Sequence, residues 1–169
     1  MPRNPPSAVT SGLKSGDRTV LLHGPVTTGD LVRYAGASGD FNPIHYDHHA
    51  ALAAGLDGVI AHGLYVMAVA GRVFDSWLTA TEGTFQNGWI SRFEARFTAS
   101  VRPGDQLVIT AVVTETGPDD PNSADSNRQL VLADVSGHVG DRLVLAAKAS
   151  LILPLSPDMS PDSHHVVLP

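Results

Sequence analysis

Asp40 and His45 stand five positions apart in the run YAGASGDFNPIHYD over residues 34–47, and together they make a working acid/base pair. An imidazole with an ordinary pKa of about 6.5 exchanges protons near neutrality, and a carboxylate can accept a proton, orient the ring or grip a water. The run cannot be ordinary helix. Pro43 lacks an amide hydrogen and drives Asn42 out of the helical region, and Gly39 permits a sharp reversal, so both groups sit on irregular backbone. Gly-Asp-x-Asn-Pro is also good turn chemistry in any protein, so the pair alone leaves open a choice between catalysis and a capped turn.

The elements around the pair are readable. Thr27-Thr28-Gly29-Asp30 followed by Leu31, Val32, Tyr34 and Ala35 predicts a helix with Thr27 as N-cap and Asp30 favoured by the positive end of the helix dipole. Asp47 to Ala54 reads as a short helix closed by Gly55. From His62 to Leu78 the chain is apolar on most of its circumference, which predicts a long buried helix rather than an amphipathic one. Four stretches supply a sheet: Trp89–Val101, with Phe93, Ala95 and Phe97 alternating against Arg92, Glu94 and Arg96, then Gln106–Thr116, Arg128–His138 and Asp141–Leu153. Turn signals at Arg102–Asp105 and around Gly137–Gly140 imply antiparallel neighbours. Gly117–Asn127 is acidic and proline-bearing, and reads as a mobile hairpin insertion. One sheet wrapped on one central helix is an α+β layer.

SGDFNPIHYD resembles the hydratase signature of the MaoC-like family, (R)-specific enoyl-thioester hydratases and dehydratases of the hot-dog fold. The resemblance extends to VTTGDLVRYAGASGD at Val26–Asp40, IAHGLYVMA at Ile60–Ala68 and RFTASVRPGDQL at Arg96–Leu107, in family order. It implies Asp40 and His45 as the catalytic pair, holding one water against the β-carbon of a trans-2-enoyl thioester and delivering a proton to the α-carbon, or running in reverse. It implies Asn42 as a hydrogen-bonding residue that orients the loop or the water, and Gly63 as the donor to the thioester oxygen. The first amides of a buried helix suit that task, being unsatisfied and at the positive end of the dipole. His62 is either a further substrate contact or a helix-start residue packed under the loop. No cofactor is implied beyond the coenzyme A or phosphopantetheine that the substrate carries.

Composition narrows the partners. With 169 residues and no cysteine, the chain predicts one domain over residues 16–155 between mobile tails at 1–15 and 156–169, without disulfides or thiolate metal sites. A reducing cytoplasm is the simplest compartment, because no apolar run at the N-terminus resembles a secretory signal and no segment has the roughly 18 apolar residues of a membrane span. A net charge of -6 with scattered basic residues argues against nucleic acid. Arg92, Arg96 and Arg102 read as a solvated strand face that can also meet the phosphates of coenzyme A. Metal binding is not expected: His45, Asp47, His48 and His49 lack zinc spacing, and His164-His165 lies in a proline-bearing tail. A thioesterase needs a carboxylate on or near the central helix, and only the late Asp75 is offered. An open sheet side predicts a homodimer or heterodimer of such domains, with an acyl-coenzyme A or carrier-protein thioester as substrate. A non-catalytic partner subunit is the competing reading, opposed by the intact Asp40 and His45.

Overall fold

The computed structural model describes residues 12–79, 88–119 and 128–155. Its elements run β1 (Arg18–His23), α1 (Thr28–Ser38), a 3-10 turn (Pro43–His45), α2 (His48–Ala53), α3 (Gly63–Gly71), a 3-10 turn (Arg72–Phe74), α4 (Asp75–Leu78), β2 (Trp89–Phe97), β3 (Leu107–Pro118), β4 (Arg128–Val139) and β5 (Arg142–Pro154). The strands form one antiparallel sheet in the order β1-β3-β4-β5-β2. Strands β3, β4 and β5 alternate buried and half-buried residues, so one face packs on the helical layer. Phe74, Leu31, Leu107, Ile109, Leu145 and Leu151 are completely buried there. This is the α+β hot-dog layer that the pattern predicts.

Several details differ from the sequence expectation. The predicted long helix is a succession: α3 ends at Gly71, a 3-10 turn follows, and α4 adds a single turn. Its burial is also one-sided. Val66, Val69 and Ala70 face the core, whereas Leu64 is 64% exposed and Ala68, four residues on, is exposed beside it. The sheet has a fifth strand, β1, whose six residues are too short a signal to stand out. Arg102–Asp105 does not form a hairpin, because β2 and β3 are not neighbours in the sheet. That turn is pinned instead to the connection between β1 and α1, through the Val26 amide to the Asp105 carbonyl (2.8 Å) and the Gly104 amide to the Val26 carbonyl (2.8 Å). The turn between β4 and β5 is tight, as expected, with Val139 paired to Arg142.

The domain starts earlier than residue 16. Leu13 is buried in the core, its carbonyl accepts from Gln129 Nε2 at 2.7 Å, and the Ser15 hydroxyl donates to the Thr114 carbonyl at 3.0 Å. The rest of the expected N-terminal tail, the C-terminal tail at 156–169 and most of the expected insertion, at 120–127, lie outside the described residues. Gly117 and Pro118 belong to β3, paired with Leu130 and Gln129. Among the described residues, no helix is long and apolar enough to cross a membrane.

Candidate active site

The segment from Gly39 to His62 is built almost wholly from local turn chemistry. Gly39 ends α1 in the left-handed region, at φ 76, with its amide on the Ala35 carbonyl, and so turns the chain toward the core. Asp40 follows at once. Its Oδ1 accepts from the Asn42 amide at 3.2 Å, which leaves Oδ2 directed at His45. Asn42 in turn caps the 3-10 turn, its Oδ1 accepting from the Ile44 amide at 3.3 Å, with Pro43 at the first position of that turn. Asn42 therefore serves the loop, the first of the two tasks expected of it. Asp47 caps α2 by accepting from the Ala50 amide at 3.0 Å, and this bond is the main reason its carboxyl lies below the ordinary range.

His45 is buried while the Asp40 side chain is 53% exposed, so the pair straddles the protein surface. His45 Nδ1 lies 2.8 Å from the Ile60 carbonyl. A carbonyl can only accept, so Nδ1 carries a proton, and in the neutral ring Nε2 presents a lone pair. That lone pair faces Asp40 Oδ2 across 4.0 Å. The gap is too wide for a direct hydrogen bond and suits one water bonded to both at about 2.8 Å.

His62, at 2% exposure, is the other buried polar side chain of the described core. It lies beneath the loop, stacked on His45 with ring centroids 3.7 Å apart and planes 25° apart, and its Nε2 sits 3.1 Å from the Asp40 carbonyl. Gly63 opens α3, whose N-terminus has no side-chain cap. A Cβ added at Gly63 would lie 3.0 Å from the Phe97 ring, so glycine is what lets the ring lie against the helix start. His45, Gly63, Ile60, Val66, Phe97 and Val144 are among the walls of an open cavity of about 320 Å³. Asp40 and Asn42 stand outside that wall, on the solvent side of His45.

Phe97 and the Ile60 carbonyl are site groups that sequence reasoning did not single out. Phe97 had a signal, as the last residue of the alternating run in β2, but no cue that it ends over Gly63. Met67, Phe74 and Trp77 belong to the helical layer and do not line the cavity, and Asp75 is an exposed partner of Arg72 at 3.8 Å. Arg92 pairs with Glu94, and Arg102 with Asp57 at 2.9 Å.

Asp40, His45 and His62 are also the grouping, among the described residues, whose possible metal-ligand atoms come within 4.8 Å of one another. Two nearly parallel stacked rings point their lone pairs side by side rather than at one centre. His45 Nδ1 and His62 Nε2 are already engaged with carbonyls. That donor set fits a tetrahedral ion poorly.

The candidate site is thus the exposed Asp40 carboxylate beside the buried His45 imidazole, with the uncapped start of α3 at Gly63 in the same cavity wall as His45. The chain belongs to the MaoC-like domain family, whose model matches residues 15–131. It is 29% identical to the 3-hydroxybutyryl-CoA dehydratase of Methylorubrum extorquens over 143 residues, 85% of this chain and 83% of that protein. It is 37% identical over 97 residues, 57% of this chain, to the fatty acid synthase subunit beta of Aspergillus oryzae, of which it spans only 4%. The (R)-hydratase from A. caviae involved in PHA biosynthesis shares the fold, with a TM-score of 0.67 at 21% identity over 84% of this chain and 98% of that one.

Proposed function

We propose that this protein is a hydro-lyase that adds water to trans-2-enoyl thioesters to give (R)-3-hydroxyacyl thioesters, or runs the same step as a dehydratase. The observation that carries the reading is the 4.0 Å gap between Asp40 Oδ2 and His45 Nε2, with the uncapped start of α3 in the same cavity wall as His45. Water held in that gap has two acceptors. As its oxygen attacks the β-carbon, one proton passes to His45 Nε2 and from there to the α-carbon, while Asp40 fixes the water's orientation. Electron density from the double bond collects on the thioester oxygen as an enolate, and an amide at the start of α3 stabilises it. Dehydration reverses each step. The substrate's coenzyme A or phosphopantetheine arm is the handle; the chain's residues supply no other cofactor to the step.

Association belongs to the same reading. Leu64 and Ala68 form an exposed apolar stripe on the outer side of α3, and β1 and β2 are the edge strands of the sheet among the described residues. A second domain of the same kind, identical or not, would cover them. The intact dyad makes this the catalytic chain of any such pair, and the cysteine-free composition agrees with a cytoplasmic setting. The test is loss of enoyl absorbance on crotonyl-coenzyme A by the purified chain, with its mass in solution measured alongside. Turnover by the lone chain supports the reading and removes the need for a different partner; no turnover alone or with any added hot-dog subunit refutes it.

A further inference from the structure

We infer that His62 is the positioning residue of the dyad, setting the Asp40–His45 separation through its Nε2–H bond to the Asp40 peptide carbonyl; this rests on the hydratase reading above. Asp40 has three polar anchors. Its amide donates to the Ser38 hydroxyl at 3.2 Å and its Oδ1 accepts from the Asn42 amide at 3.2 Å, both at exposed positions where water competes. The third, from His62 at 3.1 Å, is the one that comes from inside the core. His45 is held at one ring edge by the Ile60 carbonyl and over one face by the His62 ring. A single buried side chain therefore touches both members of the pair.

His62 is itself fixed from behind. The Tyr34 ring packs against it with centroids 5.0 Å apart, so α1, which delivers the chain to Gly39, and α3, which His62 caps by position, meet at this imidazole. The Asp40 carbonyl can only accept, so His62 carries its proton on Nε2 and leaves Nδ1 as a lone pair. Among the described residues that Nδ1 is buried without a partner. A histidine kept only for packing would be better replaced by an apolar ring, which leaves no orphaned acceptor. The site keeps the imidazole, and the bond to Asp40 is what an apolar ring cannot make. His62 does not line the cavity, so in this assignment it acts through Asp40 and His45 rather than as a catalytic residue.

Two substitutions separate the bond from the ring. His62→Gln keeps an amide donor at the reach of Nε2 and loses the flat stacked ring; His62→Phe keeps the ring and loses the donor. With crotonyl-coenzyme A, His62→Phe should lower kcat by about 10²-fold with KM unchanged, and His62→Gln should recover to within about tenfold of the wild type, as expected for a dyad misplaced by around an ångström. A glutamine variant no better than the phenylalanine one, or a rise in KM at unchanged kcat in either, overturns the assignment. Histidine ¹⁵N NMR of the full chain gives a readout independent of turnover. It should find His62 protonated at Nε2 and His45 at Nδ1. Those tautomers in a chain that hydrates no enoyl thioester would sink the proposed reaction and leave the positioning role standing. An Nδ1-protonated His62 in an active enzyme would do the reverse.

Discussion

Two helix starts in this protein solve the same problem in opposite ways. At α1, Thr27 accepts the Asp30 amide at 3.1 Å, Asp30 accepts the Thr27 amide at 2.9 Å, and the acidic side chain lies in the first turn. The orphan donors and the dipole are consumed locally. At α3 the N-cap is His62, no side chain closes the amides, the first turn holds no acid, and glycine is the first residue. The difference separates a helix start closed by its own side chains from one left open, which the proposed reaction would use for the charge on the thioester oxygen. A polar helix end kept unsatisfied beside a cavity marks a binding site more sharply than composition does.

The largest effect expected lies in the Asp40–His45 pair, whose His45 shares a cavity wall with the open start. Asp40→Asn and His45→Ala should each leave a folded protein and lower turnover of crotonyl-coenzyme A by about 10² to 10⁴, since each removes one proton-handling group. Circular dichroism together with steady-state rates checks both halves. Near-normal turnover in either variant would remove the reason for keeping α3 uncapped.

Gly63→Val tests the helix start directly. Its Cβ meets the Phe97 ring at 3.0 Å, so the ring must shift and the helix start is crowded where the thioester oxygen needs to approach. Turnover should fall by about 10² to 10³, the scale of losing one oxyanion donor, while thermal stability drops modestly. A wild-type rate would place the oxygen elsewhere. Phe97→Ala removes the facing wall instead. Phe97 is 45% exposed, so stability should fall by less than the roughly 3–5 kcal/mol of a buried phenylalanine, and kcat/KM by about tenfold. An unchanged kcat/KM would show that the ring guards nothing.

This contrast also explains what sequence could show. The capped start was legible because Thr27 and Asp30 act at short range, and Asp40, Asn42 and Pro43 were legible because turn chemistry is local. The hot-dog layer followed from periodicity in β2 to β5 and the apolar run after His62. What escaped is decided by contacts distant in sequence. β1 pairs with β3 across some ninety residues, the Arg102–Asp105 turn docks on Val26 instead of closing a hairpin, and Phe97 reaches Gly63 only through the fold. The stack of His62 on His45 likewise joins residues whose separation in the chain carries no period. Leu64 and Ala68 misled for a different reason: both are apolar yet exposed among the described residues, so their hydrophobicity does not report burial in the core.

The smallest effect expected is at the closed start. The Thr27 hydroxyl, and after it the Thr27 amide, hold the Asp30 carboxyl below its ordinary 3.8. A carboxyl depressed in the fold contributes stability that is present above the unfolded value and is lost as pH falls through the folded one. Thr27→Ala should therefore cost about 1 kcal/mol at pH 7, a fall in Tm of roughly 2–4 °C. As pH drops below 3.8 the wild type loses the part of that contribution carried by the Thr27 bonds to the Asp30 carboxylate, while the Asp30 amide keeps its bond to the Thr27 hydroxyl, so the two melting curves should draw closer without merging. Turnover at neutral pH should not change, because nothing at this helix start faces the cavity. If Thr27→Ala slows the enzyme as much as Gly63→Val, the two helix starts do not differ in kind, and the open one loses its claim to the oxyanion.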